Sequence, residues 1–338
     1  MTKVTDWIRG HQVTTFFLVT FAISWGLGFS WDAVQNQNQY LLLPLAFIAA
    51  CSPGLAGIII SAIINTQPRQ GPRKAFWIAF LVAWFVSTLV YLANSKFIEQ
   101  FSLSPAAIGL FTISVVPVAF VIASTYSRIP AVRSYLASLI QLRGVVGWSL
   151  LGLVLLPALL LISHLINSLI NRQPILSDPL QEVGQALIGL VIVKLLYQLF
   201  FFNATGEETG WRGFALPRLQ ARTNPLIASV VIAFFWTPFH LFWWQAEGRP
   251  VMSAGFWIEM YIAHTLFSVL IVWICNRAKG SILVAGLTHA ATNTAQSFLQ
   301  IPSILLIMTF SVAALIVIIA DRMWAKLPPD HPAVYGSP

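Results

Sequence analysis

The chain has 338 residues, of which 57% are hydrophobic and only 9% charged, against about 25% charged in an average soluble domain. So few charges cannot cover a water-soluble fold of this length, and the excess of 19 Lys and Arg over 11 Asp and Glu reads as a membrane-topology signal, with no nucleic-acid partner expected. The two cysteines, Cys51 and Cys275, fall in apolar runs and read as buried small hydrophobes, not as a disulfide or metal framework.

A hydrocarbon core about 30 Å thick is crossed by about 20 helical residues. Ten apolar stretches of that order follow along the chain, centred on 13–30, 41–64, 75–94, 105–126, 146–168, 184–204, 225–244, 254–275, 281–299 and 302–320. The expected fold is all-α, a polytopic transmembrane helical bundle of about ten spans. Lys3 and Arg9 precede the first stretch as in a signal sequence, but its length and the lack of a clean cleavage site make it an uncleaved anchor. Sorting the basic residues by the gaps between stretches puts fifteen on one side, three on the other and Lys194 within a span. That alternation predicts both termini in the cytoplasm. Trp243 and Trp244 sit where the seventh stretch leaves the bilayer and read as interfacial anchors. The tail from Asp321, with Pro328, Pro329, Pro332 and Pro338, reads as a short disordered cytoplasmic end.

An ionisable side chain at membrane depth costs about 2.5–3.5 kcal/mol on insertion scales, so each one calls for a reason. Three groups stand out, all in the sixth to ninth stretches. The first is GEETGWRGF, with Glu207, Glu208 and Arg212. Glu208 and Arg212 are four apart, share a helix face and can pair, while Glu207 points about 100° away on an α-helix. The second is FFWTPFHLFWW, in which His240 follows Thr237 and Pro238; the proline should kink the helix and free a carbonyl. The third is GLTHAATNTAQ, with His289 and Asn293 on one face. A carboxylate, two imidazoles and an amide are what water activation and oxyanion binding need. His264, on the eighth stretch, reads as structural.

The ordered triple resembles the motif set of the CAAX-protease and bacteriocin-processing family, also called the CPBP, ABI or type II CAAX prenyl endopeptidase family. Glu207-Glu208-x-x-x-Arg212 and His289-x-x-x-Asn293 fit its first and third elements. The second fits with one departure, Trp236 standing where the family has Phe, four residues before His240. The resemblance covers roughly residues 183–305. It implies an intramembrane endopeptidase in which Glu207 and His240 activate a water, His289 and Asn293 stabilise the oxyanion, and Glu208, Arg212 and Trp236 support them. It implies no cofactor. Zinc held by Glu207, His240 and His289 is the rival mechanism, although the His-Glu-x-x-His signature is absent. The implied partners are a peptide or membrane-anchored protein substrate and the lipid bilayer. The expected location is multi-pass in a prokaryotic plasma membrane, with the active site open to the cytoplasmic side.

By this reading, residues 1–180 form an N-terminal transmembrane region, 181–305 the catalytic core, and 306–338 the last span and tail. Two other classes remain in view, a secondary transporter and a catalytically idle relative acting in immunity or membrane-protein handling. Ionisable groups are not mirrored between the two halves, which disfavours the transporter. The intact polar set disfavours the idle relative.

Overall fold

A computed structural model of the chain describes residues 3–35, 39–172, 175, 184–299 and 301–336, and among them there is no strand. In chain order the main elements are α1 (Lys3–Gly10), α2 (Gln12–Gln35), α3 (Gln39–Ala50), α4 (Ser52–Ile64), α5 (Arg73–Phe97), α6 (Pro105–Ser114), α7 (Val116–Ala123), α8 (Pro130–Leu136), α9 (Val146–Asn171) and α10 (Leu187–Gln198). A π-helix, Leu199–Ala215, continues α10, followed by α11 (Leu216–Gln220), α12 (Pro225–Phe239), α13 (Leu241–Ala246), α14 (Ala254–Arg277), α15 (Ile282–Phe298) and α16 (Ser303–Ala320).

All ten predicted apolar stretches lie on helix. By length and composition, seven helices among the described residues can cross a membrane, and eight if the bent pair Leu43–Ala50 and Ser52–Ile64 is one span. These helices fit the predicted polytopic bundle. The first stretch lies on α2, and α15 is a 17-residue helix carrying Thr288, His289, Thr292 and Asn293. Rows of large apolar side chains stay exposed on α5, α9 and α16, among them Leu81, Phe85, Val154 and Val312. Such faces suit a lipid environment, where outward apolar groups carry no penalty.

The helices pack as two compact units. The first unit is Met1–Leu142 with Leu196–Ala215, so the π-helix belongs with the N-terminal helices. Its core gathers Phe47, Cys51, Tyr91, Phe111, Val115, Val118, Tyr197 and Phe201. Tyr91 meets Phe111 edge-on at 4.6 Å and Phe201 at 5.4 Å. The second predicted span is broken at Cys51, where α3 and α4 meet at 58°. Pro53 supplies no N–H to continue the ladder, and the break is sealed by burial of Cys51, Ser52, Pro53 and Gly54. Irregular backbone at membrane depth survives where protein covers it.

The second unit is Arg143–Leu195 with Leu216–Pro338. Here α9 lies against α15 so closely that a Cβ on Gly152 would meet Val284 O at 3.5 Å. Ser163 on α9 donates to Thr309 on α16 at 2.7 Å, and Ser268 on α14 donates to Ser229 O on α12 at 3.0 Å. Interhelical hydroxyl bonds of this kind are a normal device for joining membrane helices.

The tail from Asp321 corrects the expectation of disorder. Tyr335 N donates to Pro217 O at 3.0 Å and Gln220 Nε2 donates to Ala333 O at 2.7 Å. The Arg218 guanidinium lies 3.9 Å from the Tyr335 ring centroid. Ala333 and Val334 are buried. Prolines keep this segment out of a helix, but its backbone groups find partners on α11, so it is docked.

Candidate active site

The two glutamates sit in the π-helix of the first unit. A π-helix bonds each N–H five residues back, making a wider turn than the α-helix the spacing suggests, and such turns concentrate at functional sites. Small residues allow it here. A Cβ on Gly206 would lie 2.6 Å from Ala50 O, and one on Gly54 would lie 2.7 Å from Thr205 O, so the π-helix touches the end of α3 and the start of α4 backbone to backbone. Hydroxyls supply extra bonds to its carbonyls: Thr209 Oγ1 donates to Thr205 O at 2.7 Å, and the Tyr135 hydroxyl to Thr209 O at 2.7 Å. Trp211 and Phe214 seat the outer end against Phe16 at 5.5 and 5.3 Å.

Within this frame Arg212 Nη1 lies 3.0 Å from Glu208 Oε1, with both side chains fully buried. Glu207 is 5% exposed. The pair forms as the four-residue spacing predicts, although the helix carrying it is not α. Two adjacent buried carboxylates with Arg212 bound to Glu208 are costly to build, because removing charges from water costs several kcal/mol per ion.

The imidazoles sit in the second unit. His240 occupies the junction between α12 and α13, at φ −80 and ψ −2. Pro238 interrupts the backbone ladder, and His240 N turns back to Thr237 O at 3.2 Å instead of to the fourth carbonyl. That fourth carbonyl, Trp236 O, is bonded by the ring at 2.9 Å from His240 Nδ1. A carbonyl only accepts, so Nδ1 carries hydrogen and the neutral ring presents Nε2 as a proton acceptor. The carbonyl that orients the histidine is thus the one His240 N leaves, not the Phe234 carbonyl that Pro238 cannot bond.

Rings surround it. His264 stacks on His240 at 5.0 Å and 19°, and Trp244 stacks on both, at 5.3 Å from His240 and 5.5 Å from His264. Trp236 lies 4.9 Å from His264 and meets His289 edge-on at 5.2 Å and 83°. Phe267 contacts His289 from another side at 5.1 Å. Trp236, 1% exposed, is therefore a wall shared by all three imidazoles, and its larger ring fills the space without displacing His240. Asn293 is half-buried one turn beyond His289, and its side-chain amide makes no hydrogen bond to the described residues.

Comparison with known proteins agrees with this pattern. Residues 189–295 match the family model described as Type II CAAX prenyl endopeptidase Rce1-like. The chain is also 27% identical over 180 residues to CAAX prenyl protease 2 of Methanococcus maripaludis. That match covers 51% of this chain and 65% of the relative, so the chain spans just under two thirds of the relative's length. Over these residues the chain is similar to the CAAX-protease family. Glu207, Glu208, Arg212, Trp236, His240, His289 and Asn293 all fall inside the family-matched residues.

Within the matched residues, the second unit brings His240, His289 and Trp236 together, and the first brings Glu207 beside the Glu208–Arg212 pair. Two residues have closer roles than their sequence suggests. His264 holds His240 by stacking and places Nδ1 3.2 Å from Thr237 Oγ1. The Thr237 proton is committed to Ala233 O at 2.8 Å, so its oxygen accepts and His264 Nδ1 donates. Trp244, expected as an interfacial anchor, is a stacking partner of His240 four residues before it. No short-range spacing links His264 to His240, since His264 is brought in by α14. Cys51 and Cys275 are free and buried, as expected. Among the described residues, no group of three His, Cys, Asp or Glu side chains is placed to hold a metal ion.

Proposed function

We propose that the chain is an intramembrane endopeptidase of the CAAX-protease kind, hydrolysing a peptide bond of a membrane-associated protein or peptide. The observation that carries this reading is Glu207, buried next to a fully buried Glu208–Arg212 pair at 3.0 Å, inside the family-matched residues. Burying a second carboxylate there is expensive unless it is used.

In the proposed reaction Glu207 takes a proton from a water whose oxygen attacks the scissile carbonyl carbon. His240, with hydrogen held on Nδ1, accepts a hydrogen bond from that water through Nε2. The tetrahedral oxyanion is stabilised by His289 and the Asn293 amide, a contribution of about 2.7–4 kcal/mol per donor in acyl-transfer enzymes. As the C–N bond breaks, the proton passes from Glu207 to the leaving amine, giving a carboxylic acid and a free amine. Glu208 and Arg212 hold the π-helix so that Glu207 keeps its direction. Trp236, His264 and Trp244 hold the imidazoles.

The mechanism proposed is metal-free, as the family resemblance implies, and the site opens to the cytoplasmic side of a prokaryotic plasma membrane, the side rich in Lys and Arg. A membrane-anchored substrate reaches it from the adjoining leaflet. The transporter and idle-relative readings receive no support from the family match.

Assay of the purified full chain on a lipidated peptide tests the reading. Glu207→Gln should abolish cleavage while the protein accumulates normally in membranes, and wild-type cleavage should survive dialysis against a chelator. Undiminished cleavage by Glu207→Gln removes the reading, and loss on chelation restored by zinc assigns water activation to a metal.

A further inference from the structure

At one end of α5 and α7 the first unit builds a cavity of about 200 Å3 lined by Arg69, Arg73 and Arg128 together with Phe76, Trp77 and Ser127. No carboxylate lines it. Among the unit's described side chains, the acidic ones lie elsewhere: Asp6 lies 3.8 Å from Arg9, Glu99 accepts from Asn94, and Glu207 and Glu208 are in the π-helix. Neither Arg69 nor Arg73 makes a hydrogen bond or ion pair with the described residues. Arg128 is fixed in place by its Nε bond to Gly71 O at 3.1 Å, and Gln70 N donates to Arg128 O at 2.7 Å.

The local field makes this cluster more unfavourable. Arg73 and Lys74 open α5, whose first turn holds no acidic residue and whose preceding Pro72 makes no side-chain cap. The start of a helix is its positive end, where an anion is stabilising and a cation is not. Three guanidinium groups and an uncapped helix start around one cavity call for a negative partner. The bias of basic residues to one membrane side explains their presence in these loops, but not their convergence on one cavity.

Arg73, Trp77, Leu81 and Phe85 follow at four-residue steps and so share one face of α5. Trp77 is 57% exposed, Leu81 57% and Phe85 61%. The face therefore runs from guanidinium through an indole to bare aliphatic and aromatic surface. This is the order of chemistry along a phospholipid, phosphate first and acyl chain after.

We propose that this cavity is a binding site for the phosphate of an anionic phospholipid from the leaflet on the arginine-rich side. Arg69, Arg73 and Arg128 hold the phosphate oxygens, guanidinium being suited to bidentate phosphate contacts. Trp77 seats the glycerol region, and the Leu81 and Phe85 surface carries an acyl chain. The site is separate from the proposed hydrolytic residues and does not depend on that reading.

The test uses the full chain reconstituted in nanodiscs of equal phosphatidylglycerol and phosphatidylcholine, with co-purified lipid quantified by native mass spectrometry. Wild type should retain phosphatidylglycerol in preference to phosphatidylcholine. Arg69→Gln with Arg73→Gln should lower that retention by about fivefold per arginine, with no loss of folding because neither side chain has a partner among the described residues. Arg222→Gln, on an exposed arginine outside the cavity, should retain lipid as wild type does. Equal retention of the two lipids by wild type, or the same retention in the double variant as in Arg222→Gln, overturns the proposal. Displacement of the lipid by millimolar inorganic phosphate also overturns it, assigning the cavity to a free anion.

Discussion

His240 Nδ1 lies 2.9 Å from the carbonyl oxygen of Trp236 on the same helix. The bond fixes which ring nitrogen carries hydrogen before any substrate arrives, so the neutral imidazole offers Nε2. The carbonyl is available because the helix tightens at Pro238 and His240 N bonds Thr237 O instead. Replacing Pro238 by Ala should let the helix run on and return Trp236 O to the backbone ladder. The expected result is a drop in kcat of about tenfold or more, as for other misplacements of a reacting group, with KM little changed. Steady-state kinetics on a peptide substrate check it.

His264 differs from His240 in touching no proposed reacting atom; it stacks on His240 and hydrogen-bonds Thr237. His264→Phe keeps the stacked ring and loses the bond to Thr237. It should retain the fold and reduce kcat modestly, with a changed pH–rate profile that a purely structural ring would not give. His240→Gln should lose nearly all hydrolysis. Equal rates for the two variants would mean that the imidazoles have been assigned wrongly.

Asn293→Ala removes one proposed oxyanion donor and leaves binding groups in place. The rate should fall by about 10²–10³ with KM near wild type. A rise in KM with unchanged kcat would place Asn293 in substrate binding instead.

Glu208→Gln acts on the fold as well as the site. Arg212 would be left buried at 3.0 Å from an uncharged partner, and removing one member of a buried pair typically costs about 3–5 kcal/mol. Thermal unfolding in detergent should show a lower Tm for Glu208→Gln than for Glu207→Gln. Replacing both Glu208 and Arg212 by apolar residues should recover part of the loss. Equal Tm values for the two Gln variants would contradict the division between them.

The backbone contact between the π-helix and the end of α3 gives a steric prediction. A Cβ on Gly206 would stand 2.6 Å from Ala50 O, so Gly206→Ala forces the two helices apart. The cost should be about 1–3 kcal/mol, read as a lower Tm, with loss of activity because Glu207 follows directly.

Docking of the tail should weaken in acid. Hydrogen bonding and charge from Arg277 hold the Asp321 carboxyl below its ordinary value, and burial holds His331 below 6.5. In both cases the folded form binds its proton less readily than the unfolded form. Stability is therefore full above the ordinary value and is lost as pH falls through the lowered one. His331 contributes from about pH 6.5 downward and Asp321 only in stronger acid. Amide exchange over 321–336 should rise in that order, and Asp321→Asn should remove the second step.

The sequence by itself determined what depends on near neighbours. Apolar run lengths marked the helical stretches, the four-residue spacing paired Glu208 with Arg212, and Pro238 signalled the break at His240. Each is set by local geometry along one segment. Tertiary packing decided what depends on residues far apart in the chain. The π-helix exists because Gly54 and Gly206 let two backbones meet, and no spacing around Glu207 encodes the position of Gly54. His264 becomes part of the histidine cluster because α14 packs on α12. The proline-rich tail is ordered because Pro217 O accepts from Tyr335 N and Gln220 Nε2 donates to Ala333 O. Composition reports only that such a segment avoids helix, since hydrogen-bond partners are supplied by the fold and not by the segment itself.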